Sequence, residues 1–409
     1  MSEALVPRMR PFETTIFTEM TATAVRTGSV NLGQGFPDTD GPVELLEAAR
    51  AAIRAGANQY PPGRGVPELR RAVADHQRRW YGLDVDPDTE VLVTTGATEA
   101  IAATVLALCE PGDEVVVLEP FYDSYGASIA LAGAVRRTVP LRPPAFGLDL
   151  DALAAAFSDR TRLVLLNTPH NPTGRVLSRR ELEAVASLAR AHDAVVVTDE
   201  VYEHLVYDGH EHVPMATLPG MADRTLTISS AGKTFSVTGW KIGWLTGPAE
   251  LVTAVTTVKQ YLTFVSGAPF QPAVAQALGG SAAGFTQRAD DMRRRRDLLA
   301  DGLTEAGFEV SVPQGGYFVL ADAAAVGFDD GLDLCRRLPH LVGVVAIPVG
   351  LFCDDDQHVR SLVRFAFCKR DDVLAEALRR LRGLRGLHRA DGARSEDGSR
   401  LEDGPRPTS

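Results

Sequence analysis

The sequence has no pair of cysteines at CxxC spacing and no histidine–cysteine cluster at the spacing of a metal-binding motif. Its four cysteines, Cys109, Cys335, Cys353 and Cys368, are scattered. That pattern reads as buried free thiols in a reducing compartment, not as a disulfide framework or a zinc site. No bound metal is expected. No apolar run approaches the ~18 residues needed to span a bilayer. The opening stretch, "MSEALVPRMRPFETT", lacks the apolar core of a signal peptide. A cytoplasmic location with no membrane partner is therefore expected. Basic residues are in deficit, 42 Lys and Arg against 53 Asp and Glu, a formal charge of −11. The deficit argues against a nucleic-acid scaffold, which carries a basic face. Internal repeats are also missing.

What is present is a chain of 409 residues, more than one core usually supports, so two domains are expected. From about residue 90 to 247, short β-branched runs alternate with helical stretches: "EVLVTT", "DEVVVLEP", "TRLVLLNTP", "DAVVVTDE", "RTLTISS" and "IGWLTG". Their continuous apolar character suits strands buried on both faces of a mostly parallel sheet. Between two of them, Ser178 and Glu181 form a capping box ahead of "LEAVASLARAH". This alternation predicts a doubly wound α/β layer. After about 285 the pattern changes to a long amphipathic helix, a few short strands and a closing helix, as in a smaller α+β domain. The expected division is an N-terminal segment (1–45) joining the small domain, a large domain (46–285), the small C-terminal domain (286–388) and a disordered tail (389–409).

The chemistry turns on Lys233 in "SSAGKTFSVTGWKIGW" (229–244). Gly232-Lys233-Thr234 resembles the end of a nucleotide-binding P-loop, but that loop needs a glycine five residues before the Gly-Lys pair. Thr227 stands there, inside the strand-like "RTLTISS". The nucleotide-hydrolase reading fails on this point. The alternative is an amine that anchors a carbonyl cofactor. Pyridoxal phosphate needs such a lysine, an acid for the pyridine nitrogen, an anion cradle for the phosphate and a cation for the substrate carboxylate.

Each part has a candidate. A lysine just past a strand end among small residues is partly desolvated, which favours the nucleophilic amine. Asp199 closes the strand "AVVVTD", where ligands bind in parallel sheets, and Tyr202 follows three residues on. Asp199 could equally cap a following helix. "TTGATEA" (94–100) is a strand–glycine–helix junction whose free N–H groups, with Thr98, would bind a phosphate. "NTPHNPTG" (167–174) sets Asn167 and Asn171 directly after a buried strand. Arg364 lies inside the apolar run "LVRFAF". A buried arginine needs an anion, either a substrate carboxylate or an internal acid.

In this order, these residues resemble the fold-type I pyridoxal-phosphate aminotransferases. The likeness is strongest to the branch holding kynurenine aminotransferase and glutamine transaminase K, and to bacterial N-succinyldiaminopimelate aminotransferases. "NLGQGFPD", "NQYPP", "EPFYDSY", "LNTPHNPTG", "TDEVYEHLVYDGH", "SSAGKTFSVTGWKIGW" and "VAIPVGLFC" carry it, over about residues 10 to 385. The resemblance implies that Lys233 carries the Schiff base and Asp199 pairs with the pyridine nitrogen. Tyr202 and Asn171 would contact the ring oxygen, with Asn167 beside them, and Tyr122 would stack on the ring. Ala97, Thr98, Ser230 and Lys241 would hold the phosphate. Tyr60 would reach the phosphate of a neighbouring subunit, implying a homodimer. Gly35, Asn171, Arg364 and Phe17 would bind the substrate.

The implied reaction is ping-pong transfer of the amino group of an L-amino acid to a 2-oxo acid such as 2-oxoglutarate. Where the kynurenine enzymes carry a Gly-Tyr pair after the phosphate loop's glycines, this chain has Thr98-Glu99, and Val265 replaces a histidine after Phe264. With Thr98, Glu99 and Arg64 as polar groups and Phe17, Tyr122 and Phe264 as apolar walls, an extended donor is expected. N-succinyl-LL-diaminopimelate is the named candidate, glutamine and methionine the smaller ones. Kynurenine transamination and cysteine-S-conjugate β-elimination are the alternatives on the same scaffold. A pyridoxal-sensing regulator would need a basic helix-turn-helix domain, and the roughly thirty residues before "NLGQG" are too few for one.

Overall fold

The N-terminal strand β1 (Val30–Asn31) does not enter the main sheet. It pairs in parallel with β11 (Val344–Val345), more than three hundred residues downstream, so the chain's start packs with its C-terminal part. The computed structural model describes residues 4–12 and 15–384. The expected disordered tail (389–409) lies outside them.

Seven strands in the middle of the chain form one sheet: β2 (Val91–Thr95), β3 (Glu114–Glu119), β4 (Val135–Pro140), β5 (Thr161–Asn167), β6 (Val195–Asp199), β7 (Thr225–Ser230) and β8 (Ile242–Thr246). Their order is β2-β8-β7-β6-β5-β3-β4, and only β8 runs antiparallel to its neighbours. The continuous apolar runs have the expected cause. In β3, Val115 and Val117 pack into one core, and Val116 and Leu118 into another on the opposite face. Helices cover both faces, and the helix Arg179–Ala191 starts with the predicted Ser178/Glu181 capping box. The strand β4 was not anticipated. It lies at the sheet edge, and its first four residues alternate between exposed and half-buried, with Val139 buried after them.

The second sheet is antiparallel, with order β12-β13-β10-β9: β9 (Glu309–Ser311), β10 (Phe318–Asp322), β12 (Ile347–Pro348) and β13 (Leu362–Ala366). The helix Ala282–Ala306 leads into it and the helix Asp371–Leu381 closes it. Cys109, Cys335 and Cys368 are buried free thiols, while Cys353 is only half-buried. No helix among the described residues is long and apolar enough to cross a membrane.

Candidate active site

The carboxyl ends of β5, β6 and β7 open on one cavity of about 230 Å³, and the four-stranded sheet supplies its opposite wall. β6 ends at Asp199, 4% exposed. The chain turns away after it without forming a helix, so the helix-cap alternative does not hold. The Asp199 carboxylate accepts hydrogen bonds from the Tyr125 hydroxyl (2.6 Å) and the Val201 N–H (3.3 Å). Burial outweighs these bonds and pushes its carboxyl up to about 6. Among the described residues no lysine or arginine pairs with it, and Lys233 favours its charged form only from further off.

β7 ends at Ser230, and one turn of helix, Ala231–Thr234, carries Lys233 into the cavity. Its Nζ donates to the Tyr317 hydroxyl (2.5 Å) and the Gly35 carbonyl (3.3 Å). Tyr317 in turn donates to that same carbonyl. Burial lowers the amine to about 8, within reach of the free-base form. Tyr202 stands edge-on to Tyr317, with ring centroids 4.9 Å apart.

β2 leads through Gly96 into the helix Gly96–Leu108, so Ala97 and Thr98 occupy the first turn, where N–H groups lack helical partners. Gly96 is at φ +73°, and a side chain there would meet Lys241 Nζ at 3.1 Å. A Cβ on Gly243 would strike the Gly96 backbone at 2.6 Å. The two glycines let the lysine tip close over the helix N-terminus. This is a place for a strongly anionic group.

Arg364, on β13, is 2% exposed. It donates to Asn171 Oδ1 and to the Gly33 carbonyl, both at 3.0 Å, and lies 3.9 Å over the Phe318 ring. Its Nε has no partner, and among the described residues no acid lies within ion-pair distance. Burial without an anion lowers the guanidinium to about 10. The internal-acid alternative for Arg364 fails. Asn171 spends its Oδ1 on Arg364, so its amide nitrogen is the group left to donate into the cavity. Asn167 ties the turn instead: its Oδ1 accepts from Asn171 N–H (2.6 Å) and its Nδ2 donates to the Asp199 carbonyl (2.8 Å).

The family model for aminotransferase class I and II matches residues 27–381. The chain belongs to this family. It is 57% identical over 386 residues, covering 92% of this chain and 97% of the relative, to a Mycobacterium tuberculosis protein named a probable N-succinyldiaminopimelate aminotransferase. It is 41% identical over 371 residues, 91% and 96% of the two chains, to the methionine aminotransferase of Escherichia coli. The solved structure of N-succinyldiaminopimelate aminotransferase from M. tuberculosis superposes with a TM-score of 0.92 at 58% identity, covering 93% of this chain and all of that one. A Thermus thermophilus aspartate aminotransferase does so with 0.86 at 35%, covering 94% and 100%.

As an aminotransferase the chain is an enzyme that moves an amino group between an amino acid and a 2-oxo acid, and class I members use pyridoxal 5'-phosphate. The cavity fits that group. It offers an amine lowered to about 8, a buried acid with no ion-pair partner among the described residues, a helix N-terminus under a lysine, and an orphaned guanidinium nitrogen.

Of the residues that the resemblance assigns to cofactor and substrate, all but Tyr60 line this one cavity. Tyr60 stands outside, 81% exposed, edge-on to Phe264 at 5.4 Å. Three substrate-side expectations are corrected. Glu99 is turned away from the cavity and accepts from Thr95 N–H (2.6 Å) and the Thr263 hydroxyl. Arg64 donates to the Thr89 carbonyl and Thr253 Oγ1, outside the cavity. Phe264 is half-exposed and lines none of the cavity. Two residues that do matter here, Tyr125 and Tyr317, went unrecognised inside "EPFYDSY" and "PQGGYF". Each reaches its partner only through the fold.

Proposed function

We propose that Lys233 is the covalent anchor of pyridoxal phosphate, that Asp199 holds the pyridine nitrogen protonated, and that Arg364 binds the α-carboxylate of both amino donor and oxo acid. The single observation that carries this reading is the buried Arg364, which has no acid within ion-pair distance among the described residues. In this reading Thr98, Ser230 and Lys241, with the Ala97 N–H, receive the phosphate. Tyr122 covers the ring face, and Tyr202 and the Asn171 amide hydrogen-bond the ring oxygen. Gly35 and Phe17 border the substrate, with Asn167 fixing the turn behind it. When bound, the cofactor supplies the electron sink that makes an amino acid's α-proton removable. The Lys233 amine, once free, stands between Tyr317 and the Gly35 carbonyl, poised to take that proton from Cα and return it.

We propose N-succinyl-LL-diaminopimelate as the donor and 2-oxoglutarate as the acceptor, by a ping-pong sequence. The 57% identical mycobacterial relative supports this donor. Methionine or glutamine is a second reading with its own support. The cavity's cations are Lys233, Lys241 and Arg364, so with Arg64 turned away none is spare for a distal carboxylate. The E. coli methionine aminotransferase relative points the same way. The enzyme is further proposed to act in the cytoplasm as a homodimer. Tyr60, Tyr261, Leu262 and Phe264 form an exposed apolar group that a second subunit would cover. The large unit (46–285) is proposed to hold the cofactor, with 1–45 and 286–388 closing over it.

Borohydride reduction of the holoenzyme, followed by peptide mass spectrometry, tests the anchor. A pyridoxyl adduct on Lys233 is expected, and an adduct elsewhere refutes the assignment. A panel of donors against 2-oxoglutarate ranks the substrates. The first reading requires N-succinyl-LL-diaminopimelate to exceed methionine and glutamine in kcat/KM.

A further inference from the structure

A second group of chemistry-bearing side chains is buried where the helix Pro67–Tyr81 meets the turn after β6. His76 and His204 face each other with their Nε2 atoms 2.7 Å apart. A carboxylate oxygen of Glu203 joins them, and one ligating atom from each of the three lies within 4.8 Å of the others. Glu203 is 5% exposed and accepts hydrogen bonds from Tyr81 Oη (2.6 Å) and Ser229 Oγ (2.5 Å). Among the described residues it has no lysine or arginine within ion-pair distance. Its charge is held by those hydroxyls and by the facing imidazoles alone, with no lysine or arginine to supply a fixed positive charge. His76 is likewise buried, and its Nδ1 has no partner. Two observations, the converging donors and the missing positive charge, call for the same kind of occupant.

We propose that His76, Glu203 and His204 form a binding site for a divalent transition metal, of the kind zinc occupies. Two imidazoles and one carboxylate are a recognised three-ligand set for zinc, with water in the fourth position. The present 2.7 Å separation is that of two rings sharing one hydrogen, and the ion takes the place of that hydrogen. Zinc–nitrogen bonds of about 2.0–2.1 Å at a tetrahedral angle set the two nitrogens about 3.3 Å apart, so the rings part by about half an ångström. His204 has room to do so. It is only partly buried, and with Glu203 it borders an open cavity of about 750 Å³ that gives the ion its way in. Tyr81 and Ser229 then orient the carboxylate, as outer partners of metal ligands do. Ser229 adjoins Ser230, and Glu203 follows Tyr202, so the ion clips the helix Pro67–Tyr81 to the strand ends that frame the aminotransferase cavity. It stiffens the scaffold and touches none of the reacting atoms.

The test uses the untagged, full-length holoenzyme, stripped with a chelator and titrated with cobalt(II) and then zinc. The expected result is one cobalt per chain, with ligand-field bands in the visible to the red of the cofactor's absorption, displaced by zinc. Zinc should also raise the unfolding midpoint. His204→Phe keeps a ring against Trp80 and Phe285, whose centroids lie 4.8 and 4.4 Å away. It should abolish the bands, as should His76→Gln. Tyr81→Phe, one contact further out, should weaken zinc about tenfold or more. If wild-type enzyme gives no stoichiometric cobalt bands, the group is a hydrogen-bonded imidazole pair only and the proposal falls. That result needs no variant to fold. Bands that persist in both histidine variants overturn it equally.

Discussion

Arg364 offers the sharpest test of the active site because its surroundings dictate which substitution is informative. The guanidinium donates to two uncharged oxygens, Asn171 Oδ1 and the Gly33 carbonyl, and stacks on Phe318; among the described residues no acid lies within ion-pair distance, and Asp123 acts on it only from further off. Truncation to alanine would leave both oxygens short of a donor in a buried setting, at ~1–3 kcal/mol each. A fall in activity would then be confounded with a fall in stability. Arg364→Lys keeps the charge but gives up the planar fork that matches a carboxylate. Losing one charge-assisted hydrogen bond to the substrate costs ~1.5–3 kcal/mol, roughly tenfold to 150-fold in kcat/KM. The assay is steady-state turnover of several amino acids beside an amine that carries no carboxylate. All the amino acids should fall by a similar factor, while the carboxylate-free amine is unchanged and the cofactor spectrum stays intact. An equal fall for that amine, or loss of cofactor, would refute the clamp and leave Arg364 as a piece of scaffolding.

Asp199→Asn should stabilise the cofactor-free protein, and the sign follows from its raised carboxyl. A group at about 6 when folded, against 3.8 as the ordinary value, holds more protons folded than unfolded between those pH values. Stability is therefore lost as pH rises from about 4 to 6, and the loss persists above. Denaturant unfolding should show the variant more stable by up to about 3 kcal/mol at pH 8 and no different at pH 4; a variant less stable at pH 8 contradicts this. In holoenzyme the same change should severely slow proton transfer while the anchor on Lys233 still forms. Gly96→Ala puts a Cβ 3.1 Å from Lys241 Nζ at φ +73°, a backbone costing ~1–2 kcal/mol for an L-residue. Weaker cofactor retention and a lower Tm are expected, and unchanged values of both would show that Lys241 does not close over this turn. Tyr317→Phe removes the 2.5 Å partner of the Lys233 amine. A loss of about 1 kcal/mol, about fivefold in kcat, is expected with cofactor retained; a change confined to KM rules out a role in holding the amine.

What the sequence disclosed and what it hid divide along physical lines. Strands buried on both faces carry runs rich in Val, Leu and Ile, interspersed in β7 and β8 with Thr, Ser, Gly and Trp, so β2, β3, β5, β6, β7 and β8 were legible from local composition. The edge strand β4 sets two adjacent arginines and a threonine between its valines and resembles a loop. Lys233, Asp199 and Arg364 stood out because each sets a charge among apolar or small residues, which local chemistry alone makes unusual. The misplaced residues share the opposite property. Arg64 and Glu99 are polar residues near glycines, and what removes them from the cavity is a partner far along the chain: Thr253 for one, Thr263 for the other. Tyr125, Tyr317 and the His76–His204 pair were hidden for the same reason. Their partners come from other elements, and no spacing rule connects residues 76 and 204.

The charges in the cavity also constrain what can fill it. Lys241, Lys233 and Arg364 face it with one acid, Asp199, which burial pushes up to about 6, so that it still carries its charge above that pH. Lys233 is itself lowered to about 8 and can shed its charge, but Arg364 cannot at any physiological pH, even lowered to about 10. Two fixed cations therefore remain at opposite ends, Lys241 over the helix N-terminus and Arg364 on the four-stranded sheet. Arg364 is a buried cation without an ion-pair partner among the described residues, which is unfavourable, and Lys241, exposed beside the helix N-terminus, adds a second positive end, so the cavity suits two separate anions. A phosphate at the Lys241 end and a carboxylate at the Arg364 end satisfy that demand, with the amine of Lys233 between them. In the proposed reading this spacing of charge would hold the cofactor and an amino acid together and leave the reacting carbon beside the Lys233 amine.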